Sequence, residues 1–296
     1  MVTQVDDGDE GGPGVATSSN SQPSMVATML DRLDVRGPER VLEIGTATGH
    51  VAALLACRLG DDRVVSVEID PRLAGRAEKN LAAVGALRVT VVRADGEHGW
   101  APGAPYDRLI STCALRHVPY ELVRQVEPGG ILVAPMVREF WSGAVLRLDV
   151  HEDGTASGRF QGGASYMPMK SHRAAPGRPV DQATARSADS ELGPRALLSL
   201  GFALYAGAVL PGVSMVHAET GGADRVWLLD RDGSGAIADA GEPVWQYGPR
   251  SLWSEVESAY SAYHALGAPP PTAFGMTVGP DGRQTWLRTP DQVIGA

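Results

Sequence analysis

The sequence is short of several features that mark whole classes of protein. Only two cysteines occur among 296 residues, Cys57 in an apolar helical stretch and Cys113 in a strand-like one. We therefore expect two reduced core thiols in a cytoplasmic protein, in preference to a disulfide or a metal site. No run of about 18 or more apolar residues occurs, so no transmembrane helix is predicted.

Charge is sparse and mainly of one sign. Charged residues make up 21% of the chain, against roughly a quarter in typical soluble proteins. The net charge is −9, the isoelectric point is about 5.3, and no Lys/Arg run occurs. These values argue against nucleic acid or an anionic membrane as a general partner.

The N-terminal residues 1–16 are acidic and rich in glycine. They contain no apolar segment of the kind found in a signal peptide. We expect a flexible lead-in there.

A regular alternation of short apolar runs and helical stretches begins at Val41. Strands alternating with helices at this spacing imply right-handed crossovers and a mostly parallel sheet. We therefore predict a doubly wound α/β domain over 17–170. Its strands are predicted at 41–44, 63–69, 88–93, 106–112 and 131–135.

Beyond residue 140 the pattern changes to that of a smaller α+β appendage. An Asp-Gly turn at 153–154 predicts a hairpin, and residues 165–170 are predicted to return as a strand. Polar residues 171–190 indicate a linker. Residues 191–296 form the predicted appendage, with an amphipathic helix at 252–265.

The turn after the first strand has small residues at Gly45, Ala47 and Gly49. Such turns allow the backbone to approach a nucleotide-like ligand closely. The dinucleotide pattern requires Gly where His50 stands, and the Lys and Ser/Thr of a phosphate-binding loop are missing. The turn therefore fits a ligand without phosphates that presents an amino-acid end and a sulfonium.

Three acidic positions accompany this turn. Glu68 ends the second strand, where a carboxylate accepts hydrogen bonds from ribose hydroxyls, although a solvated strand-end acid is an alternative. Asp95-Gly96 follows the third strand and suits an adenine contact or a plain Asx turn. Glu43 is placed either near the sulfonium or as an acceptor for a backbone amide.

Taken in order, these segments resemble the protein-L-isoaspartate O-methyltransferase family over roughly residues 17–170. The C-terminal extension is similar to that of the actinobacterial branch, whose members accompany ribosomally made peptides (graspetides and lanthipeptides) and methylate an aspartate in a macrocyclic precursor. The resemblance is carried by Ser21-Gln22-Pro23-Ser24-Met25-Val26-Ala27, VLEIGTATGH (41–50), VVSVEID (64–70), ADG (94–96), YDRLISTCA (106–114), VPYELVRQVEPGGILVAPM (118–136) and Tyr166-Met167-Pro168-Met169.

The resemblance implies a Rossmann-like class I methyltransferase core that uses S-adenosylmethionine and no metal. It implies that Ser21 holds the methyl-accepting carboxylate, with a helix N-cap as the alternative role. Thr112, Cys113 and Ala114 fall where the substrate backbone is expected. The expected cofactor-binding residues are Glu43, Gly45, Thr46, Gly49, Glu68, Asp95 and Gly96.

Three features depart from the family's pattern. Ala47 replaces the usual middle glycine, and His50 replaces a usual aromatic residue. The helical segment that precedes the Ser-Gln-Pro motif in the family is missing, which indicates either a trimmed start or a reduced substrate cover.

The expected reaction is esterification of an aspartate or isoaspartate side chain in a peptide or protein, followed by closure to a succinimide (aspartimide). A carboxylate has a reference pKa of about 4 and needs no general base at neutral pH. Two substrates compete: a dedicated macrocyclic peptide, which we favour, and aged proteins under general repair. The appendage's aromatics Trp227, Trp245, Tyr247 and Trp253 favour the dedicated peptide unless they form the appendage's core.

Two hypotheses from other classes remain. A dinucleotide-dependent dehydrogenase is disfavoured by the spacing of the glycine turn. A non-catalytic binding protein with the same fold is supported only by Ala47.

Overall fold

The computed structural model describes residues 1–141, 143–173 and 177–295. The chain divides into two compact units. The first unit comprises Met1–Met136, Gly143–Arg173 and Met276–Arg283. The second comprises Val137–Ser142, Ala174–Gly275 and Gln284–Ala296.

The N-terminal segment, expected to be a flexible lead-in, forms a hairpin that was not predicted. Strand β1 (Val2–Val5) pairs antiparallel with β2 (Ala16–Ser19), and helix α1 (Pro23–Leu33) follows. The Asp6 carboxylate closes the connection by accepting hydrogen bonds from two backbone amides within it. The hairpin has no clear signal in the sequence, because its strands are short and are separated by a glycine-rich loop.

The central part of the first unit is a parallel sheet with interspersed helices, as predicted. All residues of its first two strands are buried, as expected for strands covered on both faces. Its elements are β3 (Val41–Ile44), α2 (His50–Leu59), β4 (Val64–Glu68), α3 (Pro71–Ala83), β5 (Thr90–Arg93), β6 (Tyr106–Ser111), α4 (Tyr120–Val123) and β7 (Val126–Met136).

The order of these strands determines where a ligand binds. β3 pairs in parallel with β4 on one side and with β6 on the other. The order of the strands therefore reverses at β3: β4 and β5 extend the sheet in one direction, and β6 and β7 extend it in the other. In such sheets the ligand crevice lies at the carboxyl ends of the strands beside the reversal. The doubly wound Rossmann-like fold is confirmed.

An antiparallel addition makes the sheet mixed. β8 (Ala144–Val150) pairs with β7 and with β9 (Ala156–Gly163), which confirms the predicted hairpin. The strand predicted at 165–170 is wrong, because this segment makes only an isolated bridge between Ala114 and Pro168.

The second unit contains a five-stranded antiparallel sheet and two helices. Its elements are β10 (Arg186–Ala188), α5 (Leu200–Val209), β11 (Ser214–Thr220), β12 (Ala223–Leu229), β13 (Gly235–Asp239), β14 (Val244–Tyr247) and α6 (Leu252–Ala265). The strand order in the sheet is β10-β14-β13-β12-β11.

Helix α6 confirms the helix predicted at 252–265, whereas β10 lies within the segment predicted to be a linker. The buried helix α5 was not predicted, because it is apolar on all sides and shows no helical period.

A last hairpin, β15 (Phe274–Gly279) and β16 (Gly282–Leu287), turns at Asp281-Gly282 and joins one edge of the mixed sheet, which has nine strands among the described residues. Among the described residues, no helix has the length and apolar character needed to cross a membrane. The expectation of two core thiols is wrong for Cys57, which is exposed on α2.

Candidate active site

A cavity of about 680 Å³ opens in the first unit at the carboxyl ends of β3, β4 and β6. It lies where the reversal of strand order places a ligand crevice. Gly49 and Ala114 do not line it. The predicted residues that do are Ser21, Glu43, Gly45, Thr46, Glu68, Asp95, Gly96, Thr112 and Cys113.

The two glycines of the turn have different roles. Gly45 has φ +95°, and a Cβ there would lie 2.9 Å from Thr112 Oγ1. Thr112 instead donates a hydrogen bond from Oγ1 to the Gly45 carbonyl at 2.6 Å. At Gly49 a Cβ would lie 3.3 Å from both Ala77 Cβ and Leu81 Cγ. Gly49 therefore lets α2 pack closely on α3, and its predicted contact with the cofactor stays a prediction.

Ala47 lies between them in a left-handed conformation, with φ +47°. This region is unfavourable for a residue with a Cβ and costs roughly 1 kcal/mol. The amide of Ala47 donates a hydrogen bond to Glu68 Oε2 at 2.8 Å. The turn therefore keeps the glycine-like geometry although the residue is alanine.

The carboxylate of Glu68 is held at both oxygens by backbone amides. Oε1 accepts from the Asp70 amide at 3.0 Å, and Oε2 accepts from the Ala47 amide. The side chain is buried, and burial raises the pKa of Glu68 while these amides oppose the shift. Because each carboxylate oxygen has two lone pairs, Glu68 retains acceptor capacity toward ligand hydroxyls.

Glu43 is the most buried carboxyl group of the site, with 1% of its surface exposed. Its Oε2 accepts a hydrogen bond from Ser66 Oγ at 2.5 Å, and the Ser66 and Thr46 hydroxyls lie 2.6 Å apart. Burial raises the pKa of Glu43 to about 8. Glu43 therefore carries a proton at neutral pH, and a cation beside it would favour the charged form.

The loop after β5 packs against two apolar side chains that line the cavity. Asp95 Oδ1 accepts from the Glu97 amide at 3.0 Å, which is the predicted Asx-type turn. A Cβ on Gly96 would lie 2.4 Å from Ile44 Cγ2 and 3.6 Å from Met169 Cε. Only glycine fits there, and the surrounding apolar groups suit a flat ring.

Ser21 lines the cavity close to Tyr166. The N-cap of α1 is Gln22, not Ser21, so the alternative role of Ser21 as an N-cap is wrong. Burial raises the pKa of Tyr166, and a side-chain hydrogen bond with Ser21 opposes this shift. Two hydroxyls thus face the cavity together, which suits the binding of a carboxylate.

Cys113 and Ala114 are two of the residues expected to contact the substrate backbone. Burial raises the pKa of Cys113 to about 11, which makes it a protonated thiol and a poor nucleophile. Ala114 is buried outside the cavity, and its amide donates to the Met167 carbonyl at 2.8 Å. Its carbonyl accepts from the Met169 amide at 2.9 Å, so Ala114 anchors the segment that forms one wall of the cavity.

A set of polar residues that line the cavity could not be predicted from the sequence. They come from the N-terminal hairpin and from the segment after β9, and neither has a local pattern that indicates a site. These residues are Gln4, Asp7, Asn20, Lys170 and Arg173.

One group of ligand-type side chains lies next to the cavity. Nε2 of His117 and Nε2 of His172 each lie 3.6 Å from Glu97 Oε1, and the two rings stack at 4.4 Å. His172 Nδ1 accepts a hydrogen bond from the Arg116 amide at 3.0 Å. The proton of neutral His172 is therefore on Nε2, which leaves no lone pair there for a metal ion. The group acts as a link between the loop after β5 and residues 170–173.

Comparison with known proteins shows that the part of the chain that forms this cavity matches a protein family. The sequence model described as "Protein-L-isoaspartate(D-aspartate) O-methyltransferase (PCMT)" matches residues 13–174. A protein-L-isoaspartate O-methyltransferase of Methanoculleus marisnigri is 47% identical over 116 residues, which cover 39% of this chain and 52% of the relative. One of Pyrococcus horikoshii is 37% identical over 161 residues, which cover 54% of this chain and 73% of the relative.

The likeness extends to solved structures at the level of the fold. A structure titled protein-L-isoaspartate O-methyltransferase has a TM-score of 0.55 and 19% identity, and the match covers 92% of this chain and 83% of that one. The chain spans about half the length of the first two relatives, with 52% and 57% covered. The family match over residues 13–174 includes every predicted site residue. The chain therefore belongs to the protein-L-isoaspartate(D-aspartate) O-methyltransferase family, whose members are S-adenosylmethionine-dependent methyltransferases.

Proposed function

We propose that this chain transfers a methyl group from S-adenosylmethionine to the free carboxylate of an isoaspartyl residue in a protein or peptide. The observation that carries the proposal is the Glu68 carboxylate, held by two backbone amides in the same cavity as the Gly45 turn and Gly96. A buried acceptor at the end of β4 suits ribose hydroxyls, and the close approach at Gly96 suits the adenine ring.

The cofactor, when bound, supplies an electrophilic methyl group on a sulfonium. The residues of this chain then have to place the acceptor and exclude water. Ser21 and Tyr166 provide hydroxyls that hold one carboxylate oxygen, and the other oxygen is free to attack. Correct placement of two reactants can supply roughly 7–11 kcal/mol of a barrier. No general base is assigned, since the acceptor is already ionised at neutral pH.

The methyl ester formed in this way is open to attack by a backbone amide of the same peptide. A neighbouring amide nitrogen attacks the ester carbonyl, methanol leaves, and a succinimide ring remains. Hydrolysis of that ring returns some aspartate, which is the chemical basis of repair. These later steps need no further residue of this chain.

One observation favours a more specialised substrate, the macrocyclic ribosomally made peptide expected for an actinobacterial member. A row of apolar side chains crosses four strands of the second unit, with Val216 opposite Trp227, Trp227 opposite Ile237, and Ile237 opposite Trp245. Val216 and Trp245 are 52% and 46% exposed. Such a surface supports peptide recognition, but the family match favours general repair as the first proposal.

Mass spectrometry of peptides incubated with the chain and S-adenosylmethionine tests both proposals, general isoaspartyl repair and methylation of a dedicated macrocyclic peptide. We expect an isoaspartyl model peptide to gain the mass of one methylene group, and the matched aspartyl peptide to remain unchanged. Methylation of only a macrocyclised precursor peptide, followed by loss of methanol, would replace repair with the specialised reading. Binding of S-adenosylhomocysteine without transfer to any of these peptides would contradict both and support a non-catalytic binding protein.

A further inference from the structure

The N-terminal hairpin is attached to one wall of the cavity through the start of α3. Gln4 Nε2 donates a hydrogen bond to Asp70 Oδ2 at 2.7 Å. Arg72 donates to the Asp7 carbonyl at 2.5 Å and to the Gly8 carbonyl at 2.7 Å. These contacts begin two residues beyond Glu68, on the side of the cavity that suits the ribose.

The same hairpin is attached to the opposite wall through one side chain. Arg173 donates from both terminal nitrogens to the Asp7 carboxylate, at 2.7 and 3.1 Å, and Lys170 Nζ lies 3.6 Å away. The Arg173 guanidinium holds the pKa of Asp7 below its usual value. Lys170 directly follows Met169, which faces Gly96, so this attachment is on the side that suits the adenine.

The tip of the hairpin is held in an unfavourable backbone conformation. Asp6 and Asp7 are consecutive non-glycine residues with φ +48° and +51°. Such residues persist in the left-handed region only where surrounding contacts hold them. The bidentate Asp7–Arg173 pair is one such contact, and its loss leaves the tip free to relax.

We propose that residues 1–19 form a strap across the cofactor cleft, latched by Asp7 to Arg173 and Lys170, which controls entry and exit of the cofactor. Gln4, Asp7, Lys170 and Arg173 all line the cavity, so the strap crosses it rather than covering a remote surface. The Asp7 and Arg173 side chains are 31% and 37% exposed, which allows the latch to open without unfolding the sheet. The inference rests on the proposed use of S-adenosylmethionine.

The test is the dissociation rate of S-adenosylhomocysteine from the full chain, measured by stopped-flow displacement. Asp7→Asn removes the charge of the latch, and Asp9→Asn makes the same change at an exposed position of the same hairpin. We expect Asp7→Asn to raise the dissociation rate roughly fivefold, which is in the range of a partly exposed ion pair, and Asp9→Asn to leave it unchanged. Added salt should speed dissociation from the wild type and have little effect on Asp7→Asn.

Variants that exchange the charges of Asp7 and Arg173 distinguish loss of this ion pair from a general effect on folding. Asp7→Arg alone should release the ligand faster, and Asp7→Arg combined with Arg173→Asp should restore slow release. Equal dissociation rates for wild type and Asp7→Asn, with normal affinity, would overturn the strap and leave the proposed function intact. Failure of the wild type to bind S-adenosylhomocysteine would overturn both.

Discussion

The amide of Ala47 and the carboxylate of Glu68 are joined by a 2.8 Å hydrogen bond, although Ala47 lies in the left-handed region at φ +47°. The bond connects the glycine turn after β3 to the end of β4. The turn is thus held, at the cost of local strain, by the side chain that we propose to bind the ribose hydroxyls. On that proposal, a change at either residue alters both the stability of the turn and the affinity for the cofactor.

Ala47→Gly should make the protein more stable. Glycine adopts a positive φ without a steric penalty, so we expect a gain of roughly 1 kcal/mol in the free energy of unfolding. Denaturant unfolding measures it. The control is Ala82→Gly in α3, an exposed helical position where glycine should cost about 0.5–1 kcal/mol. Equal losses at both positions would mean that Ala47 is not strained.

Glu68→Gln should weaken binding of S-adenosylhomocysteine, because it removes the charge and one of the two oxygens that accept from the Ala47 and Asp70 amides. A hydrogen bond to a charged group contributes about 1.5–3 kcal/mol, so a loss of roughly 10- to 100-fold in Kd is expected. Isothermal titration calorimetry measures it. Glu78→Gln is the control, because Glu78 is an exposed acid on α3 that pairs with Arg93. An unchanged Kd for Glu68→Gln would remove the ribose assignment.

Cofactor binding should depend on pH through Glu43, whose pKa is raised to about 8 by burial. The sulfonium of S-adenosylmethionine favours ionised Glu43, so affinity should rise as the pH increases toward about 8. S-adenosylhomocysteine has no sulfonium charge and should show a weaker dependence. Glu43→Gln should abolish the difference between the two ligands, and a difference that persists in this variant would exclude Glu43 as its source.

Glu43 also contributes to the way in which the stability of the ligand-free protein varies with pH. Because the pKa of Glu43 in the folded state lies above its ordinary value of 4.5, the folded state binds more protons than the unfolded state between these two pH values. The contribution of Glu43 to stability is therefore present at low pH and is lost as the pH rises toward about 8. Unfolding curves of wild type and Glu43→Gln across this range should diverge at the alkaline end.

The aromatic residues of the second unit should divide into two classes. Trp253 is 1% exposed, and Trp253→Ala should cost about 3–5 kcal/mol of stability. Trp245 is 46% exposed, and Trp245→Ala should cost far less. Thermal unfolding of both variants measures this difference. If Trp245→Ala also weakens methylation of a macrocyclic peptide but not of an isoaspartyl model peptide, the specialised substrate is favoured.

The central fold could be predicted from the sequence because its signals are local. The run 41–44, the small residues after it and the apolar helix that follows lie within about twenty residues. Parallel strands bring their carboxyl ends to one edge, so Glu43, Glu68 and Asp95 could be placed together without coordinates. The packing of Gly49 against α3 could not be predicted, because Ala77 and Leu81 are distant from it in sequence.

The missed features depend on contacts between distant parts of the chain. Asp7 and Arg173 are separated by 166 positions, and no local pattern marks either residue. Residues 165–170 of the cavity wall are predicted from the sequence to form a strand, whereas in the structure Ala114 holds this segment through two backbone hydrogen bonds. The aromatics of the second unit gave no indication of which were buried, because the register across β11 to β14 decides it.

The contrast between the two cysteines gives the protein a built-in labelling position. Cys57 is exposed on α2, whereas Cys113 is a protonated thiol inside the cavity. A thiol-reactive fluorophore should therefore attach to Cys57 alone near neutral pH, without any engineered substitution. Because α2 begins directly after the glycine turn, the fluorescence of such a probe would follow binding and release of the cofactor.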